Sequence, residues 1–201
     1  MSHPSQASGG QLRITATERA TVDGSSLTER IGLDRQEMQW RKDFTGFDQH
    51  DTGRLSDLEG QIRSRKSGIV DEFYDHLESF DETVEIFGRS SKSVEQLKQS
   101  QETYLVDLVG GQYDVQYFEN RARIGKIHDM LELGPKIYLG AYSIYFEHFL
   151  TAIVDTLVDE VDADRAGLEG FADRALSVFK LINLDQQVAM DTYIDSYNKQ
   201  A

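Results

Sequence analysis

Proline is scarce in this chain of 201 residues, and its placement constrains the fold more than any other sequence feature. The two prolines are Pro4 and Pro135, so the long stretch between them has no proline break. Because proline removes a backbone donor and ends helices, such a stretch permits long helices. Alternating runs of Val, Ile and Thr are few, and no Asn-Gly or Asp-Gly turn joins two of them. We therefore predict an all-α fold.

Apolar periodicity and capping signals divide the chain into roughly seven or eight helices. The predicted helices cover about 26–44, 55–77, 81–88, 93–109, 115–131, 135–158 and 163–198. Gly68 is expected to break the second of them. Ser93, Asp114 and Asp162 are the expected N-caps, and Pro135 suits the first turn of a helix.

Residues 1–25 are rich in Ser, Gln, Thr and Gly, and they predict a disordered tail. The remaining composition is that of a folded domain, with 39% hydrophobic residues. No apolar run approaches the length of a membrane span, about 18 residues, so none is predicted. Cysteine is absent, which removes disulfides and thiolate metal sites and fits a cytoplasmic location.

The chain is strongly acidic, with 35 Asp and Glu against 21 Lys and Arg and a net charge of -14. This balance argues against nucleic acid or an anionic membrane surface as partner. Lysines number only 8. An acidic, lysine-poor surface is typical of proteins that work in very high salt, where self-repulsion is screened. An ordinary acidic cytosolic protein is the alternative interpretation.

The helix predicted over 135–158 is apolar almost all round, which implies either a central position or burial against a second chain. Together with the helix over 163–198, it could supply half of a four-helix bundle in a C2 homodimer. We predict this dimer. A monomer whose own core surrounds the two helices is the alternative.

His128 lies on an apolar helix face with Ile124 and Ile127. A lone histidine on such a face is more often a satisfied core residue than a ligand. A neutral imidazole facing an apolar cavity is also what an axial haem ligand requires, with nearby cations to receive the propionates. The cations near it in sequence are Arg121, Arg123 and Lys126. The chain shows no hydrolase or kinase motif, so an enzyme is not predicted.

A resemblance to a known family adds to this interpretation. The segments 117–128 and 133–142 resemble the F-helix and G-helix signature of the globin-coupled sensors, with further likeness at Phe73-Tyr74, 97–100 and 181–187. The resemblance covers about 30–198. It implies a globin sensor domain over 26–201, with an extra N-terminal helix at about 26–44, a globin core at about 48–198, and a weak or absent D helix.

The resemblance also implies a haem site. It implies non-covalent haem b with His128 as the proximal metal ligand, and Tyr138 forming a hydrogen bond near that histidine. On the distal side it places Tyr74 as the hydrogen-bond donor to O2 and Ser100 as a second donor. The remaining positions expected to contact haem are Phe73, Leu97, Arg121, Ile124 and Ile127.

The likeness is greatest to the globin domains of haem-based aerotaxis transducers of the archaeal, halophilic type. It implies an O2 sensor, with CO or NO as other ligands, whose dimer helices signal to a downstream methyl-accepting domain absent from this chain. Two alternatives remain open at this stage. One is a haem-free, globin-like dimeric interaction module. The other is a standalone haem globin or a globin dioxygenase.

Overall fold

A computed structural model describes residues 13–160 and 165–200, and within them the chain is helical, as predicted. The helices are α1 Ala16–Ala20, α2 Gly24–Arg30, α3 Arg35–Thr45, α4 Gln49–Glu78, α5 Asp81–Arg89, α6 Val94–Gly110, α7 Val115–Met130, α8 Pro135–Glu160 and α9 Arg165–Gln200. Within those two ranges the one β feature is an isolated bridge between Ile14 and Ser90.

The N-terminal region is more ordered than its composition predicts. Part of the predicted tail forms α1, which begins with a capping box between Thr15 and Glu18. Arg19 anchors this helix, because its buried side chain donates to the Ser90 hydroxyl at 3.0 Å. The tail prediction is therefore wrong for α1 and for the start of α2, while residues 1–12 lie outside the described part of the chain.

The helix predicted over 26–44 is divided into α2 and α3. Gly32 lies between them with φ +71°, a conformation that glycine adopts at low cost. Met38 is buried, so its side chain marks the face of α3 that packs inward. Trp40 is 54% exposed and stacks on Phe44.

The second predicted helix is longer than expected. It runs without interruption through Gly68, which does not break it. A glycine inside a helix costs only about 1 kcal/mol. Leu55, Leu58 and Ile62 are completely buried on this helix, and that burial outweighs the cost.

The later caps agree with the sequence signals. Ser93 and Gln96 form a capping box at the start of α6, and the Asp114 side chain caps α7. Pro135 is the first residue of α8. The cap predicted at Asp162 lies outside the described residues.

Helix packing brings α7 unusually close to α9. A Cβ built on Gly125 of α7 would collide with the Thr192 hydroxyl and lie 2.9 Å from the Cα of Ala189. Gly125 is therefore required by the crossing itself. On the other side of the core, α4 packs against α6, α8 and α9. The segment that carries His128 is thus fixed against the last helix of the chain.

By length and composition alone, one described helix could cross a membrane. It is Pro135–Leu157, with a mean hydropathy of 1.2. The expectation that no stretch approaches this length is therefore wrong by that criterion. The criterion is weak, because a core helix of a soluble protein meets it equally, and α8 buries Tyr142, Phe149 and Ile153 inside this chain.

Candidate functional site

His128 occupies the last turn of α7, and its imidazole is held neutral. Its Nδ1 atom is buried and has no hydrogen-bond partner among the described residues. The nearby helix C-terminus favours a positive charge, but burial lowers the pKa of His128 to about 4, and the Asp185 charge opposes this only in part. The neutral imidazole is the form that ligates iron.

This arrangement fits a haem axial ligand on chemical grounds. A buried polar atom without a partner calls for an explanation, since such atoms are normally hydrogen-bonded. A histidine that binds iron through Nε2 normally donates from Nδ1 to a protein group. No described residue accepts from Nδ1 of His128, so the fit to an axial ligand depends on the neutral imidazole and its apolar neighbours rather than on this atom. Ile124 and Ile127, the expected neighbours on this face, are both half-buried.

The cations expected to receive propionates are engaged elsewhere. Arg121 is buried, with Nε 3.1 Å from Oδ1 of Asp185. Arg123 donates to the backbone carbonyls of α1 and its C-terminal connection, and Lys126 donates to Asp129 at 2.7 Å and to Ser196 at 2.6 Å. The prediction that these three cations receive haem propionates was made from their proximity in sequence. It differs from the structure, because burial and ion pairing determine where these side chains lie.

Tyr138 lies beside His128, with 5.4 Å between the ring centroids. Its hydroxyl does not address the histidine. It donates to Oδ2 of Asp185 at 3.0 Å and lies 3.1 Å from the Tyr142 hydroxyl. The expected proximity of Tyr138 to His128 is thus present, but the expected hydrogen bond is replaced by one to a carboxylate on α9.

Asp185 accepts hydrogen bonds from tyrosine hydroxyls on two other helices. Tyr142 on α8 and Tyr104 on α6 also donate to its Oδ2, Tyr104 at 3.2 Å. Burial, and next the Asp185 charge, raise the pKa of Tyr104, Tyr138 and Tyr142 well above the usual value, so their hydroxyls stay protonated and can donate. Side chains from α6, α7, α8 and α9 thereby meet at one carboxylate.

The Arg121 side chain completes this cluster. Its guanidinium lies 4.4 Å from the ring centroid of Tyr104 and 4.6 Å from that of Tyr117. Such cation–π contacts are strongest where water is excluded. The pair of Arg121 and Asp185 is therefore a buried charge pair surrounded by aromatic rings.

Tyr74 on α4 lies among aromatic rings. It is 5% exposed and contacts the rings of Phe73 and Phe87 at centroid distances of 5.5 Å and 5.6 Å. Within the described residues no hydrogen bond involves its hydroxyl, and burial raises its pKa. It is therefore a protonated donor without a protein acceptor. Phe73 stacks on Tyr145, with centroids 4.8 Å apart.

The two expected positions on α6 differ from each other. Leu97 is half-buried and packs against the core. Ser100 is exposed, accepts from Lys92 Nζ at 2.6 Å and donates to the Gln96 carbonyl at 2.9 Å. The structure therefore does not bring Ser100 to Tyr74. Gln101, which sequence analysis did not single out, donates to the Tyr145 hydroxyl instead.

Asp185 is the most important residue that sequence analysis missed. It is fully buried and lies between Leu184 and Val188 on the inward face of α9. A lone carboxylate on an apolar face was a detectable signal, because such a group requires partners. Its partners could not be read from the sequence, since they come from three other helices.

Two further histidines are not part of the candidate site. His76 is exposed and packs on Phe80. His148 is half-buried on α8, with Nε2 3.3 Å from a carboxylate oxygen of Glu72.

Comparisons with known proteins agree with this architecture. The family model described as Protoglobin matches residues 34–199. The chain is 47% identical over 189 residues to the heme-based aerotactic transducer HemAT of Halobacterium salinarum, covering 92% of this chain and 38% of that protein. The globin domain of the Geobacter sulfurreducens globin-coupled sensor matches with a TM-score of 0.68 and 26% identity, covering 78% of this chain and 97% of that one.

The chain spans less than half the length of its transducer relative. The organism of that relative also accords with the acidic, lysine-poor composition. With a family match over most of the sequence and a matching solved globin domain, the chain has a globin fold and belongs to the Protoglobin family.

Proposed function

We propose that this chain is the haem-based O2-sensing domain of a cytoplasmic aerotaxis transducer. The observation that carries the proposal is the match to the Protoglobin family over residues 34–199, together with a neutral imidazole at His128 in the last turn of α7 that could ligate the iron. The similarity to a relative named as a heme-based aerotactic transducer supports the same function.

The residues on α7 would hold non-covalent haem b. Haem supplies the iron that binds O2 reversibly. His128 would be the axial ligand, and Ile124 and Ile127 would line the apolar proximal side. With no cysteine in the sequence, covalent attachment through thioethers is excluded.

On the distal side Tyr74 would donate a hydrogen bond to the O2 ligand. Its hydroxyl is protonated and has no competing protein acceptor in the described part of the chain. O2 carries partial negative charge when it binds ferrous iron, so it gains from such a donor, whereas CO gains less. Tyr74 therefore supports preferential retention of O2.

The signal would leave the site through α7 and α9. Gly125 lies three residues before His128 and touches Ala189 and Thr192 at the helix crossing. A shift of His128 would therefore be felt at α9 within one turn. The available coupling is typically 1–3 kcal/mol, the difference in ligand affinity between two states. The receiver would be a downstream methyl-accepting domain.

We also propose a homodimer through 135–158 and 163–198. Several large apolar side chains on α8 and α9 are exposed, and such a surface marks an interface. They are Leu139, Val154, Leu168, Leu176, Phe179, Ile194 and Tyr197. The five on α9 lie 8, 3, 15 and 3 residues apart in sequence. At about 100° per residue these spacings keep them within an arc of about 80°, so they form one stripe suited to a second copy of the same helices.

Light scattering in high salt tests the dimer. Ile194→Glu places a charge in the stripe and is expected to give a monomer. Val84→Glu is the matched control, because Val84 is 47% exposed on α5, outside the stripe. A dimer that persists in Ile194→Glu, or dissociates equally in both variants, contradicts the proposed interface.

Haem content tests the sensor proposal. His128→Ala is expected to abolish stable haem binding after reconstitution with haemin. His148→Ala, at a half-buried histidine on α8, is expected to retain haem. Equal haem content in both variants would remove His128 as the ligand. A wild-type protein that takes up no haem would favour the haem-free interaction module.

A further inference from the structure

The cluster around Asp185 lies next to the proposed axial ligand but does not contact it directly. Tyr138 connects the two, since its ring packs beside the His128 ring and its hydroxyl donates to Asp185. The negative charge of Asp185 is compensated by the Arg121 guanidinium. This inference rests on the proposed function, because it concerns the proximal side of the haem site.

The Tyr138 hydroxyl oxygen could accept from Nδ1–H of His128, but in this structure the hydroxyl lies at Asp185, to which it donates, and no described atom bonds to Nδ1. A hydrogen bond to a carboxylate is stronger than one between neutral groups. The direction of the Tyr138 hydroxyl is therefore set by α9, and the His128 Nδ1 remains without a partner in the described chain.

We propose that Asp185 is a positioning residue for the proximal histidine: it anchors the Tyr138 hydroxyl away from His128 and so keeps the histidine from a second hydrogen bond. A hydrogen bond at the outer nitrogen makes a ligating histidine more basic and strengthens its bond to the metal. With haem bound, Asp185 would thereby leave the iron–histidine bond weaker than it would be with a hydrogen-bonded Nδ1.

The test measures the iron–histidine stretching frequency of the reduced protein by resonance Raman spectroscopy. Asp185→Asn weakens the anchor, so the Tyr138 hydroxyl can accept from Nδ1–H and the band is expected to move to higher frequency. Tyr138→Phe is expected to leave the band in place, because the wild-type hydroxyl does not address His128. Asp185→Asn combined with Tyr138→Phe is expected to show no shift.

Tyr104→Phe is the matched control. It removes another phenol from the same Oδ2 atom, and Tyr104 lies on α6 rather than beside His128. The band is expected to stay where it is in wild type. If Asp185→Asn fails to fold, Asp185→Leu with Arg121→Met replaces the whole charge pair and removes the same anchor.

Three results overturn the proposal. These are an unshifted band in folded, haem-loaded Asp185→Asn, the same shift with and without the Tyr138 hydroxyl, and a shift in Tyr138→Phe alone. The haem-free protein gives an independent readout, because ¹⁵N NMR of His128 is expected to show the Nδ1 resonance move in Asp185→Asn but not in the double variant. Failure of the wild type to take up haem would instead overturn the proposed function.

Discussion

The two sides of the candidate haem site differ in the polarity of their side chains. On the α7 side, His128 adjoins a buried charge pair and a group of tyrosine hydroxyls that connect four helices. On the α4 side, Tyr74 is a single donor among phenylalanine rings. A polar network is cooperative and sensitive to any missing member, whereas an isolated donor affects only the ligand that it contacts. The proximal side is therefore suited to transmission and the distal side to ligand discrimination.

The largest effect is expected where the proximal network loses one charge. Arg121→Met leaves Asp185 buried without its cation, and such a change typically costs about 3–5 kcal/mol of folding free energy. Urea unfolding in high salt measures it. The double variant Arg121→Met with Asp185→Leu is expected to recover most of the loss, since both charges are gone. If single and double variants are equally stable, the pair is not a coupled unit.

A smaller effect is expected at the crossing of α7 and α9. Gly125→Ala forces a methyl group against Thr192 and the backbone of Ala189, and overpacking of this kind costs about 1–3 kcal/mol. Gly68→Ala is the control, because no atom lies within 4 Å of its added Cβ and the change should stabilise α4. Thermal unfolding of the two variants should therefore move in opposite directions. Equal shifts would mean that the crossing is not tight.

On the distal side, Tyr74→Phe is expected to act on gas release more than on folding. Loss of one hydrogen bond of about 0.5–1.5 kcal/mol corresponds to O2 dissociation about 2- to 13-fold faster, with CO release changed less. Stopped-flow displacement measures both rates. Tyr113→Phe, whose buried hydroxyl donates to the Leu108 carbonyl at 2.8 Å, should leave both rates unchanged. Equal small effects on the two gases would exclude Tyr74 as the donor.

The smallest effect is expected for Ser100→Ala. Ser100 is exposed and bonded to Lys92 and its own helix. A surface change of this kind usually alters stability by less than about 0.5 kcal/mol. The O2 dissociation rate should match wild type, and faster O2 release than in Tyr74→Phe would restore Ser100 as a distal donor.

The features that were predicted correctly are local in the chain. The caps at Ser93 and Asp114 and the first-turn Pro135 depend on neighbours within a few residues, so their signals are complete in the sequence. Gly68 failed as a helix breaker because its local cost is smaller than the stabilisation from packing of α4. The helix α1 was missed because Arg19 is held by Ser90, a partner distant in sequence.

The same distinction applies to the candidate site. Helical periodicity predicted the position of His128 on an apolar face, while the lowered pKa that keeps its imidazole neutral comes from burial. The likeness to a sensor family pointed to Tyr74 as the distal donor, which stays a prediction. The bonding partners of Arg121 and of the Tyr138 hydroxyl could not be predicted, because both side chains bond to Asp185 on another helix. A buried carboxylate takes its partners from tertiary structure, which a linear pattern does not encode.

The proposed function requires that His128 and Tyr74 face a haem that binds O2 reversibly. The most direct test is the absorption spectrum of purified protein in high salt, reduced with dithionite, freed of excess reductant and then exposed to air. We expect a Soret band that shifts on exposure to air and returns to its earlier position when O2 is removed. Absence of a Soret band, even after reconstitution with haemin, would contradict it and leave His128 as a core residue of a haem-free helical domain.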